Sequence, residues 1–259
     1  MDSLTIDKDK LDLSPEDDLP AVAKLSNVAL RERVYDELAN ALRAGRFAPA
    51  TMVTIRGLAE MLGTSTMPVR EAVSRLVTER ALEMLPNRTL RVPTISPTTL
   101  DELIDTRATV EGRAAWLAAE RMTPADFSRI KSANEAYGHA LDAADIAGAV
   151  AANEQLHFAI YRASGSSLLL SIIEMLWLQS GPYLASVMKK MHVAADSLHD
   201  RGVMHHFNIL AALAKRDPAA ASSAVQADIL DAAEWYKHQL FVEGATEVEP
   251  KKARKRKEA

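Results

Sequence analysis

TIRGLAEMLG-TSTMPVREAVSRLVTER-ALEMLPNRTLRV, residues Thr54 to Val92, is the stretch whose reading decides the fold. Thr54 is a good N-cap residue, and Ile55, Leu58, Ala59 and Leu62 share one stripe at helical spacing before Gly63 ends the helix. After the tight turn Gly63-Thr64-Ser65 a second helix is predicted. Pro68 sits in its first turn, where a missing N–H has no helical partner to lose, and Val69, Val73, Leu76 and Val77 form its apolar face. Leu82 to Leu85 and Leu90 to Val92, on either side of Pro86-Asn87-Arg88-Thr89, read as two short strands around a polar tip. Upstream, Leu30, Val34, Leu38 and Leu42 recur every fourth residue and predict a helix over 30–44, ended by Gly45. Three helices followed by a β-wing make a winged helix-turn-helix over residues 26–93.

The outer face of the third helix suggests what such a unit touches. Thr66, Arg70 and Ser74 lie at i, i+4 and i+8, opposite the valine and leucine face, so the helix can enter a major groove with Arg70 on a guanine edge or a phosphate. Thr66 and Met67 let the first turn approach the bases closely. The Ser65 and Thr66 hydroxyls, with the free N–H groups beside them, suit phosphates. Arg56 projects from the second helix as a backbone contact, and Asn87 and Arg88 at the wing tip suit the neighbouring minor groove. A plain three-helix bundle with exposed arginines presents the same local pattern. A single winged helix reads few base pairs, so high specificity predicts a symmetric homodimer on an inverted-repeat operator in double-stranded DNA.

Charge divides the chain in the same place. Residues 26–93 carry ten Lys/Arg against seven Asp/Glu, whereas residues 94–243 carry twelve against eighteen. A basic module joined to an acidic one pairs a polyanion-facing half with a half that does something else. Pro93 and Pro97 mark the join. Beyond it helices are predicted at about 98–121, 123–142, 145–164, 167–192 with a break near Gly181-Pro182, 195–216 and 218–242. The chain is 48% hydrophobic but only 5% aromatic, a composition dominated by Ala, Leu and Val that favours helices. Residues 1–25, acidic with Pro15 and Pro20, and the Lys/Arg-rich residues 244–259 are expected to be disordered, the latter with weak phosphate contacts as a second reading. Absence of cysteine excludes disulfides and thiolate metal sites. No basic, apolar leader opens the chain and no apolar run is long enough for a membrane helix, so a soluble, cytoplasmic protein is expected.

The N-terminal stretches Ala44-Gly45-Arg46-Phe47-Ala48-Pro49-Ala50, Ile55-Arg56-Gly57-Leu58-Ala59-Glu60, Ser65 to Val73, Arg75-Leu76 and Pro86-Asn87-Arg88 resemble, in order and spacing, the winged helix of the GntR family of transcriptional regulators. Two positions depart: Thr66 stands where the family commonly has arginine, and Thr89 where it commonly has glycine. The operator is therefore not transferable from relatives, while Arg56 and Arg70 keep the means of binding DNA. Residues 98–242 resemble the all-helical, FCD-like effector domain of the FadR-type branch, through Arg107-Ala108-Thr109-Val110-Glu111-Gly112-Arg113, Asn153-Glu154-Gln155-Leu156-His157-Phe158, Ala163-Ser164-Gly165-Ser166 and His206 with Asp217.

That resemblance implies a divalent metal held by one Asp and three His. The matching positions are Asn153, His157, His206 and Asp228: Asn replaces the Asp and Asp replaces one His, which leaves the formal ligand charge unchanged. An N/O set of this kind suits Zn, Ni or Mn. The alternative is that His157 and His206 line a polar cavity that binds effector directly. His192 and His205 are read as ordinary surface or hydrogen-bonded histidines, and Trp116, Trp177 and Trp235 as core fillers. Arg107 falls inside an apolar pattern and needs an anionic partner, either an effector carboxylate or an acid such as Glu111. The expected function is a one-component regulator, a repressor by family analogy, whose operator affinity responds to a small organic acid. Rival readings are a metal-dependent hydrolase, which lacks a His-Glu-x-x-His motif, and a ligand-independent architectural DNA-binding protein.

Overall fold

The computed structural model describes residues 27–194 and 198–237; the expectations for residues 1–25 and 244–259 lie outside them. Helix α1 spans Asn27–Arg43, and a two-residue strand β1 (Met52–Val53) precedes α2 (Ile55–Met61) and α3 (Thr66–Thr78). The wing is β2 (Glu83–Met84) and β3 (Leu90–Arg91). Six helices follow: α4 (Pro97–Arg121), α5 (Pro124–Asp142), α6 (Ile146–Ala163), α7 (Ser167–Ala194), α8 (Leu198–Ala214) and α9 (Pro218–Lys237).

Local chemistry accounts for most boundaries. The Thr54 hydroxyl accepts from Gly57 N–H at the start of α2, and Gly63, at φ +62°, takes the left-handed turn into α3. Pro97 and Pro124 stand at the first positions of α4 and α5, behind the N-caps Ser96 and Thr123. Thr123 and Asp126 close a reciprocal capping box. At the wing tip the Asn87 carboxamide accepts from Thr89 N–H and Arg88 takes a positive φ of 62°.

Three differences from the sequence reading stand out. The sheet has three antiparallel strands in the order β1-β3-β2, because Met52–Val53 pairs with Leu90–Arg91; two residues carry no period to be read. Helix α7 runs unbroken through Gly181-Pro182. Leu30, placed on the buried stripe of the first helix, is exposed, and burial begins at Val34.

The winged-helix core gathers Val34, Leu38, Leu42, Leu58, Val73, Leu76 and Leu90, and also Leu178 from α7. The bundle core surrounds Ile104, Ala115, Ile130, Leu156, Ile160, Trp177, Leu213 and Val225. Of the three tryptophans only Trp177 is fully buried; Trp116 lies half-buried with its indole N–H donated to Glu120. The two cores meet along α1 and α7, where Gly181 makes the contact possible: a Cβ there would lie 2.6 Å from the Arg43 Cα and 2.8 Å from its carbonyl oxygen.

Candidate functional site

On the winged helix the fold places every predicted DNA-facing residue on the outside. Ser65, Thr66, Met67, Arg70 and Ser74 are exposed along one side of α3, and Pro68, Val69, Ala72, Val73 and Leu76 are buried on the other. Ser65 caps α3 without spending its hydroxyl on the helix, which leaves that group and the first-turn N–H groups for an outside acceptor. Arg56 is exposed on α2 and, among the described residues, pairs with Glu60 at 3.1 Å. Asn87 and Arg88 are exposed at the wing tip. Arg75, on the same helix, is held away from this face by Glu79 at 2.9 Å and by the Tyr35 ring, 3.6 Å from its guanidinium carbon.

Inside the bundle, Asn153, His157, His206 and Asp228 come together from α6, α8 and α9. One ring nitrogen of each histidine and one Asp228 oxygen lie within 4.8 Å of one another. His157 Nε2 is 3.2 Å from Asp228 Oδ2, and His206 Nε2 is 3.2 Å from Asn153 Oδ1. Both histidines are buried and Asp228 is nearly so. The four-residue spacing on α6 brings Asn153 and His157 to one side of that helix.

A chain of hydrogen bonds orients the His157 ring. The Arg107 guanidinium donates to Glu111, at 2.6 Å through Nε and 3.3 Å through Nη2. The Tyr161 hydroxyl donates to the same carboxylate and lies 2.9 Å from His157 Nδ1. Burial, reinforced by Glu111, pushes the Tyr161 phenol well above its ordinary pKa, so it keeps its single proton. With that proton given to Glu111, the phenol oxygen accepts from His157 Nδ1–H. In the neutral ring Nε2 then carries a lone pair that faces an Asp228 oxygen. Two acceptors at that distance require positive charge between or on them, either a proton or a metal cation.

His206 is held neutral: burial pushes its pKa down to about 4, against the opposing charge of Asp228. Its Nδ1 is buried with no hydrogen-bond partner among the described residues. For Asp228, burial alone would raise the carboxyl, but contact with His157 and the surrounding histidines holds it below its usual range. Metal–ligand bonds of about 2.0–2.1 Å place neighbouring ligand atoms about 2.9–3.4 Å apart. The two 3.2 Å separations fall inside that interval. The donor set and the facing acceptors fit a divalent cation.

Arg107 is buried as its pattern predicted, and its anionic partner inside the chain is Glu111. Its guanidinium also lies 4.8 Å from the Trp177 ring centre, and the Trp177 indole N–H is itself buried without an acceptor among the described residues. Tyr161 and Trp177 are the residues of this site that the sequence did not announce, since a tyrosine and a tryptophan at helical spacing look like core. His205 pairs with Asp231 at 3.2 Å, outside the cluster. The winged helix reaches the site's surroundings through Arg43, the last residue of α1, whose Nε donates at 2.7 Å to Glu154, next in sequence to Asn153.

Comparison with known proteins agrees with this division. Residues 30–92 match the family of bacterial regulatory proteins named gntR, and residues 102–231 match the FCD domain. The chain is 32% identical over 199 residues to the HTH-type transcriptional regulator McbR of Escherichia coli, covering 77% of this chain and 89% of that protein. It is 26% identical to the HTH-type transcriptional repressor GlaR of the same organism, over 76% of this chain and 90% of that one. The solved structure of E. coli McbR/YncC superposes with a TM-score of 0.76 at 29% identity, over 82% of this chain and 98% of that chain. These relatives are regulators rather than enzymes, which sets the metal-dependent hydrolase aside. The chain belongs to the GntR family of bacterial transcriptional regulators, with the family's DNA-binding helix-turn-helix at its N-terminal side and an FCD domain after it.

Proposed function

We propose that the protein is a homodimeric repressor whose affinity for an inverted-repeat operator is set by a small carboxylate bound in the helical domain at a divalent metal. The observation that carries this reading is the convergence of Asn153, His157, His206 and Asp228 from three helices onto one point. A bound Zn, Ni or Mn would supply a cationic centre able to accept a carboxylate oxygen. The chain's own residues do the rest: Tyr161 keeps the His157 Nε2 lone pair turned inward, and Arg107 and Glu111 hold Tyr161. Trp177, whose indole N–H has no acceptor among the described residues, offers a donor on the side of α7 that faces His157. Repression is supported by similarity to the transcriptional repressor GlaR. Dimerisation is supported by the small reach of one winged helix on DNA.

Operator titration, with zinc and small carboxylic acids present and absent, tests the reading. Linkage of this kind typically changes affinity about 5- to 150-fold. His206→Ala should keep basal operator affinity, because the substitution lies far from α3 and the wing, and should lose the response. A full response in the variant, or a monomer by light scattering both free and on operator, would overturn the corresponding part.

A further inference from the structure

Where the winged helix meets the bundle there is a cleft of about 390 Å³. It is separate from the histidine cluster and lies within the size range of small-molecule sites, which favour domain interfaces. Val77 and Leu82 from the winged helix, Ile95 from the connection and Leu178 from α7 give it an apolar lining. Its polar groups are mostly committed elsewhere. Glu83 pairs with Arg91, and the Tyr183 hydroxyl donates at 2.6 Å to the Pro93 carbonyl. Arg80 differs. It lines the cleft two residues past the end of α3 and is exposed, with no ion-pair partner among the described residues. Its backbone takes a φ of 59°, the left-handed turn that ends α3, with Ala81 N–H donating to the Leu76 carbonyl.

We propose that this cleft is a second ligand site, for a small apolar monoanion: a hydrocarbon body against Val77, Leu82, Ile95 and Leu178, and one carboxylate on Arg80. The ligand touches the end of the DNA-reading helix, the wing and α7 together, so it fixes the angle between the DNA-binding unit and the bundle. This site does not depend on the metal reading.

The test uses the full chain with EDTA throughout, so that a metal-bound carboxylate contributes nothing. The probes are fluorescent 2-naphthoate and its uncharged counterpart 2-naphthamide. The expected result is saturable binding of one naphthoate per chain, at least fivefold tighter than naphthamide. Arg80→Gln should bring naphthoate down to the naphthamide level, and Thr99→Trp, at an exposed lining position, should weaken both at least tenfold. Binding that does not saturate at one per chain overturns the proposal. So does naphthoate affinity unchanged in Arg80→Gln, or affinity for both probes unchanged in Thr99→Trp. If Arg80→Gln weakens operator binding and leaves naphthoate untouched, Arg80 is a DNA phosphate contact and the proposal fails.

Discussion

Arg70 and Arg56 occupy different positions relative to the DNA-reading helix, and their loss should read differently. Arg70 stands on the exposed side of α3. Arg70→Ala should remove about 1–3 kcal/mol of specific operator binding, the range for one good base contact, with little effect on unrelated DNA. Arg56, on α2, should act as a phosphate contact, so Arg56→Ala should weaken specific and non-specific DNA alike and lower the salt slope by about one. Filter-binding titrations at several salt concentrations separate the two outcomes, and equal salt slopes in both variants would contradict the assignment. In the bundle the informative residue is Tyr161. Tyr161→Phe removes only the oxygen that accepts from His157 Nδ1 and donates to Glu111. Loss of such an outer partner typically costs about 10- to 100-fold in metal affinity, so zinc competition titration of the variant should show a drop of that size with helicity unchanged. Wild-type protein that takes up no zinc would instead refute the metal itself. The exposed arginines and the paired spacing of Asn153 and His157 were legible in the sequence, because polarity and helical period are local properties. Tyr161 and the anchoring of Arg107 by Glu111 were not equally so: the second was one of two partners on offer, and the first is a contact across fifty positions of chain, which no period encodes.

At the scale of elements, capping chemistry and periodicity located α2 to α6 to within a residue or two, since Thr54, Gly63, Pro97, Thr123 and Pro124 act on their immediate neighbours. The sequence was a poorer guide at Gly181-Pro182. A Gly-Pro pair inside an apolar run reads as a break, yet α7 continues through it and uses the glycine as a contact surface. Packing against α1 outweighs the local cost, a tertiary effect invisible to pattern. Gly181→Val would drive a branched side chain into the Arg43 backbone, which has no room to yield as a flexible side chain would. Overpacking of this type costs about 1–3 kcal/mol. Chemical denaturation should record a loss in that range, and an unchanged midpoint would show that α1 and α7 are not in close contact in solution. The strand β1 escaped detection for the opposite reason: its two residues pair with β3 only because the wing brings Leu90 and Arg91 alongside them.

For the whole molecule, the helix that carries the Asn153 and His157 pair is joined to the winged helix by more than the linker at Pro93 to Pro97. Helix α6, which carries Asn153 and His157, also carries Glu154, and Glu154 holds Arg43 at the end of α1. The Arg43 guanidinium lies 5.9 Å from the Phe158 ring on the same helix. A shift of α6 that tightens the histidine cluster therefore pulls directly on the winged helix. Glu154→Gln keeps the shape and removes the charge, so basal operator affinity should stay close to wild type while the response to zinc and carboxylic acids shrinks several-fold. A response of undiminished size would assign the coupling to α4 and the linker alone.

Leu178 gives the arrangement a temporal side. It belongs to α7, yet it is buried in the core of the winged helix among Leu42, Leu76 and Leu90. On the ribosome the winged-helix segment emerges before α7, and domains generally fold as they emerge. Here the earlier segment waits for a side chain synthesised long after the wing is finished. Until α7 leaves the exit tunnel, the nascent winged helix has an open apolar wall, and its completion becomes a late, non-local step in the birth of the protein.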